Sequence, residues 1–147
     1  MVRKKIFIFS SSRAEYGLLK NLIKKNNYNN LDIKLVVTGS HLSKKFGSTI
    51  DEIKKDKVKI FKTIKILSKD NNISSSLNYI DCFSKVDKFF KFSRPDLVIL
   101  LGDRFETFAI ANACNFNKIK ICHIQGGEIT QGSMVHSPVV MYRARGR

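Results

Sequence analysis

A chain of 147 residues, 43% hydrophobic and 27% charged, has room for one core at roughly 100–150 residues per domain, which excludes two full domains. Eleven Phe and only two Pro exclude a disordered or low-complexity polymer. The net charge of +15 raises an anionic partner, but twenty Lys are scattered from Lys4 to Lys120, often beside Asn or Ile, and follow no single stripe. Solvated lysine faces are therefore expected, not a nucleic-acid surface, with phosphate recognition left to selected residues.

Cys82, Cys114 and Cys122 are an odd number without C-x-x-C spacing, so neither a disulfide framework nor a zinc site is suggested, and a reducing compartment fits. The apolar run Ile6 to Phe9 is too short for a signal-peptide core, and no later run approaches the roughly 20 residues of a membrane helix. The expected location is the cytoplasm, without membrane association.

Ile6 to Phe9 reads as a first strand, the serines Ser10 to Ser12 as a loop, and Tyr16, Leu19, Leu22 and Ile23 as the apolar face of a helix. After the polar break Asn26 to Asn30, Ile33 to Val37 form a second strand ending at Thr38-Gly39, followed by a long loop through Gly47. Ser48 and Asp51 resemble a helix-start capping pair, predicting a short helix over Thr49 to Lys55 and a third strand over Val58 to Phe61. Leu77, Ile80, Phe83, Val86 and Phe90 place one apolar stripe on the longest helix, which must end before Pro95. Leu97 to Leu101 is a strand, Phe105 to Asn115 a helix, and Lys120 to Ile124 a fifth strand.

Alternating strands and helices, with strands apolar throughout, predict an α/β, doubly wound parallel sheet covered on both faces. Ligands of such sheets sit beyond the carboxyl ends of the strands, which selects four loops. The first, Ser10 to Gly17, combines small hydroxyls, a helix N-terminus and Arg13, and suits phosphate. It contains neither a P-loop nor G-x-G-x-x-G, so a nicotinamide cofactor has no support. The second, Thr38 to Gly47, carries His41. The third carries Asp103, placed either as an acid–base group or as a helix N-cap, and Arg104, suited to a phosphate or sugar hydroxyl. The fourth, His123-Ile124-Gln125-Gly126-Gly127-Glu128, delivers a second carboxylate to the same edge. Asp103 and Glu128 on neighbouring strand ends suit removal and return of a carbon-bound proton, or assistance to a leaving group.

Taken in order, Arg13-Ala14-Glu15-Tyr16-Gly17, Val37-Thr38-Gly39-Ser40-His41-Leu42, Leu101-Gly102-Asp103-Arg104-Phe105-Glu106 and His123-Ile124-Gln125-Gly126-Gly127-Glu128 resemble the hydrolysing UDP-N-acetylglucosamine 2-epimerases. Arg104 is similar to the hydrolysing branch, since the other branch usually has Thr there. The resemblance implies the first half of a glycosyltransferase-B-like fold of two Rossmann-like domains, with a UDP-sugar in the cleft between them. It implies anti elimination of UDP to a 2-acetamidoglucal, then hydration to N-acetylmannosamine, for sialic-acid-type sugars and without cofactor or metal. By motif, Asp103 and Glu128 fall on the catalytic acids, and Arg13, Arg104, His41 and His123 on substrate-binding positions.

Three departures accompany the resemblance. Gln125 stands where the family usually has His; Val135 and His136 stand where acids are expected; and the second domain, with its catalytic His, is absent. Residues 1–132 are thus expected to form a Rossmann-like domain and 133–147 a divergent tail; Lys is absent after Lys120 and Asn after Asn117, while Arg143, Arg145 and Arg147 cluster at the end. A homo-oligomer or a separately encoded C-terminal half would be the partner. The alternatives are an epimerase for a diacetamido UDP-sugar and a non-catalytic truncated domain.

Overall fold

The computed structural model describes residues 3–24, 29–43, 49–66 and 75–125. In chain order these form β1 (Lys4–Ser10), α1 (Arg13–Lys24), β2 (Leu31–Thr38), a 3-10 turn (Gly39–Leu42), α2 (Ile50–Lys55), β3 (Ile60–Ile64), α3 (Ser75–Phe92), β4 (Leu97–Leu101), α4 (Phe105–Phe116) and β5 (Lys120–Ile124). All strand pairs are parallel, in the order β3-β2-β1-β4-β5. The chain steps outward from β1 to β2 and β3, then returns to β1's other flank, so its direction of travel reverses between β1 and β4. This is a Rossmann-like α/β domain.

The two-residue period of a strand sends alternate side chains to opposite faces. Ile6 and Ile8 of β1, Leu35 and Val37 of β2, and Ile99 and Leu101 of β4 join Tyr16, Leu19 and Ile23 of α1 and Ile53 of α2 on one face. Phe7 and Phe9, Val36, and Val98 and Leu100 join Cys82, Val86 and Phe90 of α3 and Ala109, Ile110 and Ala113 of α4 on the other. Each fully buried Val, Leu, Ile or Phe among them contributes about 1.5–3 kcal/mol. The Phe7 and Phe89 rings stack at 5.4 Å, while Phe9 meets Phe90 edge-on at 6.1 Å. At the amino edge the Lys5 amide donates to the Asp96 carboxylate at 2.8 Å, tying β1 to the start of β4.

Three expectations are corrected. β3 begins at Ile60, two residues later than Val58, because Lys57 adopts φ +55° and the Val58 amide donates back to Ile53 as α2 closes. It also runs on to Ile64, which is buried. On α3, Leu77 and Ile80 lie outside the buried face, at 53% and 57% exposed. At about 100° per residue Leu77 stands opposite Val86 and Ile80 is a third of a turn away, whereas Tyr79, Cys82, Phe83, Val86, Phe89 and Phe90 share the inward side. Finally, β5 is an edge strand, and Ile121 and Cys122 are exposed. The expected cap Ser48 lies outside the described residues; Thr49 is the N-cap of α2 but makes no side-chain cap bond.

Candidate active site

In doubly wound sheets ligands occupy the crevice at the carboxyl ends of the strands where the direction of travel reverses, which here is the β1/β4 edge. The segments that leave β1, β2 and β4 and the end of β5 lie at this edge, and α1 and α4, of 12 residues each, start there. Free first-turn N–H groups give a helix N-terminus a partial positive charge.

Glu15, in the first turn of α1, is buried. The Ser11 amide donates to it at 2.6 Å, and Ser11 Oγ lies 2.8 and 2.9 Å from its two oxygens. Burial raises its pKa, the Ser11 bonds and Arg104 oppose that rise, and the charge of Glu106 adds to it. Glu106, in the first turn of α4, is 1% exposed. It accepts from Arg104 Nε at 3.2 Å and Nη2 at 3.0 Å, a two-pronged hold, while Glu15 lies 3.9 Å from the same Nε. Burial disfavours the charged guanidinium, but the Glu106 bonds and the charges of Glu106, Glu15 and Asp103 raise its pKa overall. The Arg104 side chain remains 43% exposed.

Gly39 fits between these loops at φ +61°. A Cβ there would stand 2.7 Å from the Ser11 carbonyl and 2.8 Å from Glu106 Oε1. The Ser40 amide and hydroxyl both donate to that Ser11 carbonyl at 2.8 Å, which clamps the loops after β1 and β2 together.

The expected site residues divide into groups. Asp103 and Arg104 stand at the crevice, Asp103 exposed and one residue before the N-cap of α4; that cap is Arg104, so Asp103 does not cap the helix. His123 reaches the same place from β5: its Nε2–H donates to the Gly102 carbonyl at 2.6 Å, which fixes the proton on Nε2. Arg13 is the first residue of α1, 73% exposed, and pairs with Glu52 of α2 at 3.0 Å. His41, expected against substrate, is instead enclosed at 0% exposure. Its Nε2 meets Ser10 Oγ at 2.9 Å and its Nδ1 meets Thr49 Oγ1 at 2.7 Å, so both ring nitrogens are engaged. Burial pushes its pKa down to about 4, against smaller effects of Ser12 and Glu52. Glu128 lies outside the described residues. Among the described residues no group of three His, Cys, Asp or Glu is placed to hold a metal, and no helix is long and apolar enough to cross a membrane.

Sequence reasoning passed over Glu15 and Glu106, because an acid in the first helical turn reads as an ordinary dipole partner. A sharper signal was present. Glu15 lies four residues before Leu19 and eight before Ile23, and Glu106 three and seven before Ala109 and Ala113, so both acids share the buried stripe of their helices.

The family described as UDP-N-acetylglucosamine 2-epimerase matches residues 23–137. The GDP/UDP-N,N'-diacetylbacillosamine 2-epimerase (hydrolyzing) of Campylobacter jejuni is 40% identical over 136 residues, 91% of this chain and 35% of that protein. The UDP-N,N'-diacetylbacillosamine 2-epimerase (hydrolyzing) of Legionella pneumophila is 35% identical, covering 87% of this chain and 34% of its own length. The chain thus spans about a third of the length of these relatives. A crystal structure of UDP-N-acetylglucosamine 2-epimerase superposes with a TM-score of 0.78 at 20% identity, over 90% of this chain and 35% of that one. The Neisseria meningitidis UDP-GlcNAc 2-epimerase bound to UDP-GlcNAc superposes with a TM-score of 0.72 at 22% identity, over 88% and 34%. The match over residues 23–137 establishes that this chain belongs to the UDP-N-acetylglucosamine 2-epimerase family.

Proposed function

We propose that this chain contributes the Rossmann-like N-terminal part, residues 1–132, of a hydrolysing UDP-sugar 2-epimerase. The reaction is anti elimination of UDP from C1 and C2 of the sugar, then addition of water to give the free 2-epimer. For UDP-GlcNAc the products are UDP and N-acetylmannosamine. The observation that carries this reading is Arg104, held by Glu106 at the β1/β4 reversal with its side chain 43% exposed, in a chain 40% identical to a hydrolysing relative.

In this mechanism the Arg104 guanidinium and the α1 and α4 N-termini stabilise the departing diphosphate as its charge grows, with Arg13 adding a further cation. Asp103 and Glu128 divide the proton work: one takes the C2 proton, and the other assists water addition. His123, its Nε2–H held by Gly102, presents Nδ1 as an acceptor for a sugar hydroxyl. His41 acts from beneath, holding Ser10 and Thr49 and so fixing the loops that meet the ligand. The remaining cleft wall would correspond to the part of the relatives' length that this chain does not span.

A diacetamido UDP-sugar is the second reading. It is favoured by the 40% and 35% identities to the two diacetylbacillosamine epimerases, against 30% to the Neisseria meningitidis UDP-GlcNAc 2-epimerase. Fusing this chain to the second domain of the Campylobacter relative, and measuring UDP release from each sugar nucleotide, separates the two. The preferred substrate is the one with the higher kcat/KM. Release from neither would support a non-catalytic domain. In the active fusion, Asp103→Asn and Glu128→Gln should each lower kcat by about 10²–10⁴-fold, and near-normal turnover would remove that residue from the mechanism.

A further inference from the structure

We propose that Glu106 and Glu15 are positioning residues which hold the Arg104 guanidinium as a preformed clamp for the diphosphate of a nucleotide sugar. The proposal rests on the substrate reading above and adds two residues to it.

Neither acid is placed to touch a ligand itself, being 1% and 6% exposed. Between them they occupy the inner edge of one guanidinium: Glu106 takes Nε and Nη2, and Glu15 stands 3.9 Å behind Nε. Of the five N–H donors of an arginine, two are held by Glu106, leaving three for a ligand on a side chain that is 43% exposed as a whole. The guanidinium, planar and forked, suits two phosphate oxygens at once.

Charge balance argues in the same direction. Neutralising one arginine needs one carboxylate, and buried ion pairs are often no more stabilising than apolar side chains of the same size. Two buried carboxylates on a single guanidinium are therefore poorly explained by stability. They are well explained by geometry, because an arginine held in its binding conformation does not lose rotamer freedom when the ligand arrives. The fold makes room for the arrangement: Glu15 is anchored by the amide and the hydroxyl of Ser11, and the missing side chain of Gly39 leaves space beside Glu106 Oε1. Asp103, exposed beside Arg104, also acts on the guanidinium through its charge.

The test uses the 147-residue chain, with nitrogen-15 NMR of arginine side chains and titrations with UDP and uridine. Arg104 should give distinct, slowly averaging guanidinium signals that UDP shifts and uridine does not. Glu106→Gln should average those signals while the backbone amide spectrum stays folded, and should weaken UDP binding by at least about ten-fold, the equivalent of one charged hydrogen bond. Glu15→Gln should act in the same direction. In an Arg104→Ala background Glu106→Gln should add no further loss. Arg104→Lys, which leaves both acids in place but lacks the fork, should bind UDP as weakly as Arg104→Ala and carries the test if Glu106→Gln does not fold. Equal UDP affinity in Glu106→Gln or Arg104→Lys, or an undiminished loss in the Arg104→Ala background, would overturn the positioning role alone. A firmly held Arg104 that UDP leaves unperturbed would overturn the clamp together with the substrate reading.

Discussion

Gly39 and Gly102 separate two reasons for a glycine. Both lie at positive φ, +61° and +76°, but only at Gly39 would a Cβ collide with neighbours; at Gly102 nothing lies within 4 Å. Gly102→Ala should cost only the left-handed backbone penalty, about 1–2 kcal/mol. Gly39→Ala carries that penalty plus a clash with the Ser11 backbone, so its loss in urea unfolding should exceed that of Gly102→Ala. Equal losses would show that the loops can part. His41 sets a pH dependence. Its folded pKa of about 4 lies below the ordinary 6.5, so between those values the unfolded chain binds a proton that the folded chain refuses. Stability should be fully present above pH 6.5 and fall by up to about 1.4 kcal/mol per pH unit on acidification toward 4. Glu15, raised from 4.5, has the opposite sign, favouring the folded state as pH falls through its window. Comparison with His41→Gln in urea isolates the histidine, since the variant should lose that slope; parallel profiles would exclude it. The buried state of His41 was not legible locally, because its enclosure needs Ser10 from β1 and Thr49 beside α2. Nor does anything in a single segment bring Glu15 to Arg104, which are neighbours only through the β1/β4 pairing.

At the scale of elements, the central strands and the helices α1, α3 and α4 follow from apolar spacing, and β4 and β5 begin and end where that spacing places them. The spacing misjudged the rotation of α3, because Leu77, Ile80, Phe83, Val86 and Phe90 satisfy a three-or-four rule while drifting around the helix. Successive steps of three lag behind a full turn, and only the side facing β1 decides which end of the drift is buried. The corrected rotation is testable. Phe90→Ala, with Phe90 2% exposed, should cost about 3–5 kcal/mol, whereas Ile80→Ala should stay within about 0.5 kcal/mol. Similar losses at both positions would restore the original stripe. The late start of β3 was hidden for a different reason: Val58 is apolar, but its amide is spent on closing α2 and does not join the sheet.

At the scale of the whole molecule, β1, β2 and β4 each supply side chains to both cores, so neither face can loosen without withdrawing residues from the other. Unfolding should therefore be a single transition. Phe90→Ala on the α3 side should lower the urea midpoint reported by the Tyr16 NMR signal on the α1 side as much as that reported by α3 itself; a midpoint at Tyr16 that did not move would divide the domain in two. The family fold was legible because four loop motifs fall at the ends of four strands. The remaining two thirds of the relatives' length leaves no trace in composition or periodicity, since a domain that closes on its own core needs no local signal for its neighbour. The strand order has a consequence for the chain as it is made. As the polypeptide leaves the ribosome, β1, β2 and β3 can pair once residue 64 has emerged, but β1 stands at the open margin of that partial sheet until β4 arrives some thirty residues later. During that interval the backbone of Ile6, Phe7 and Ile8 offers unpaired groups along an apolar strand, a surface on which another nascent chain could add itself. The segment that ends this exposure, Leu97 to Leu101, leads directly into Asp103 and Arg104, so the event that covers β1 also brings these two residues to its carboxyl end.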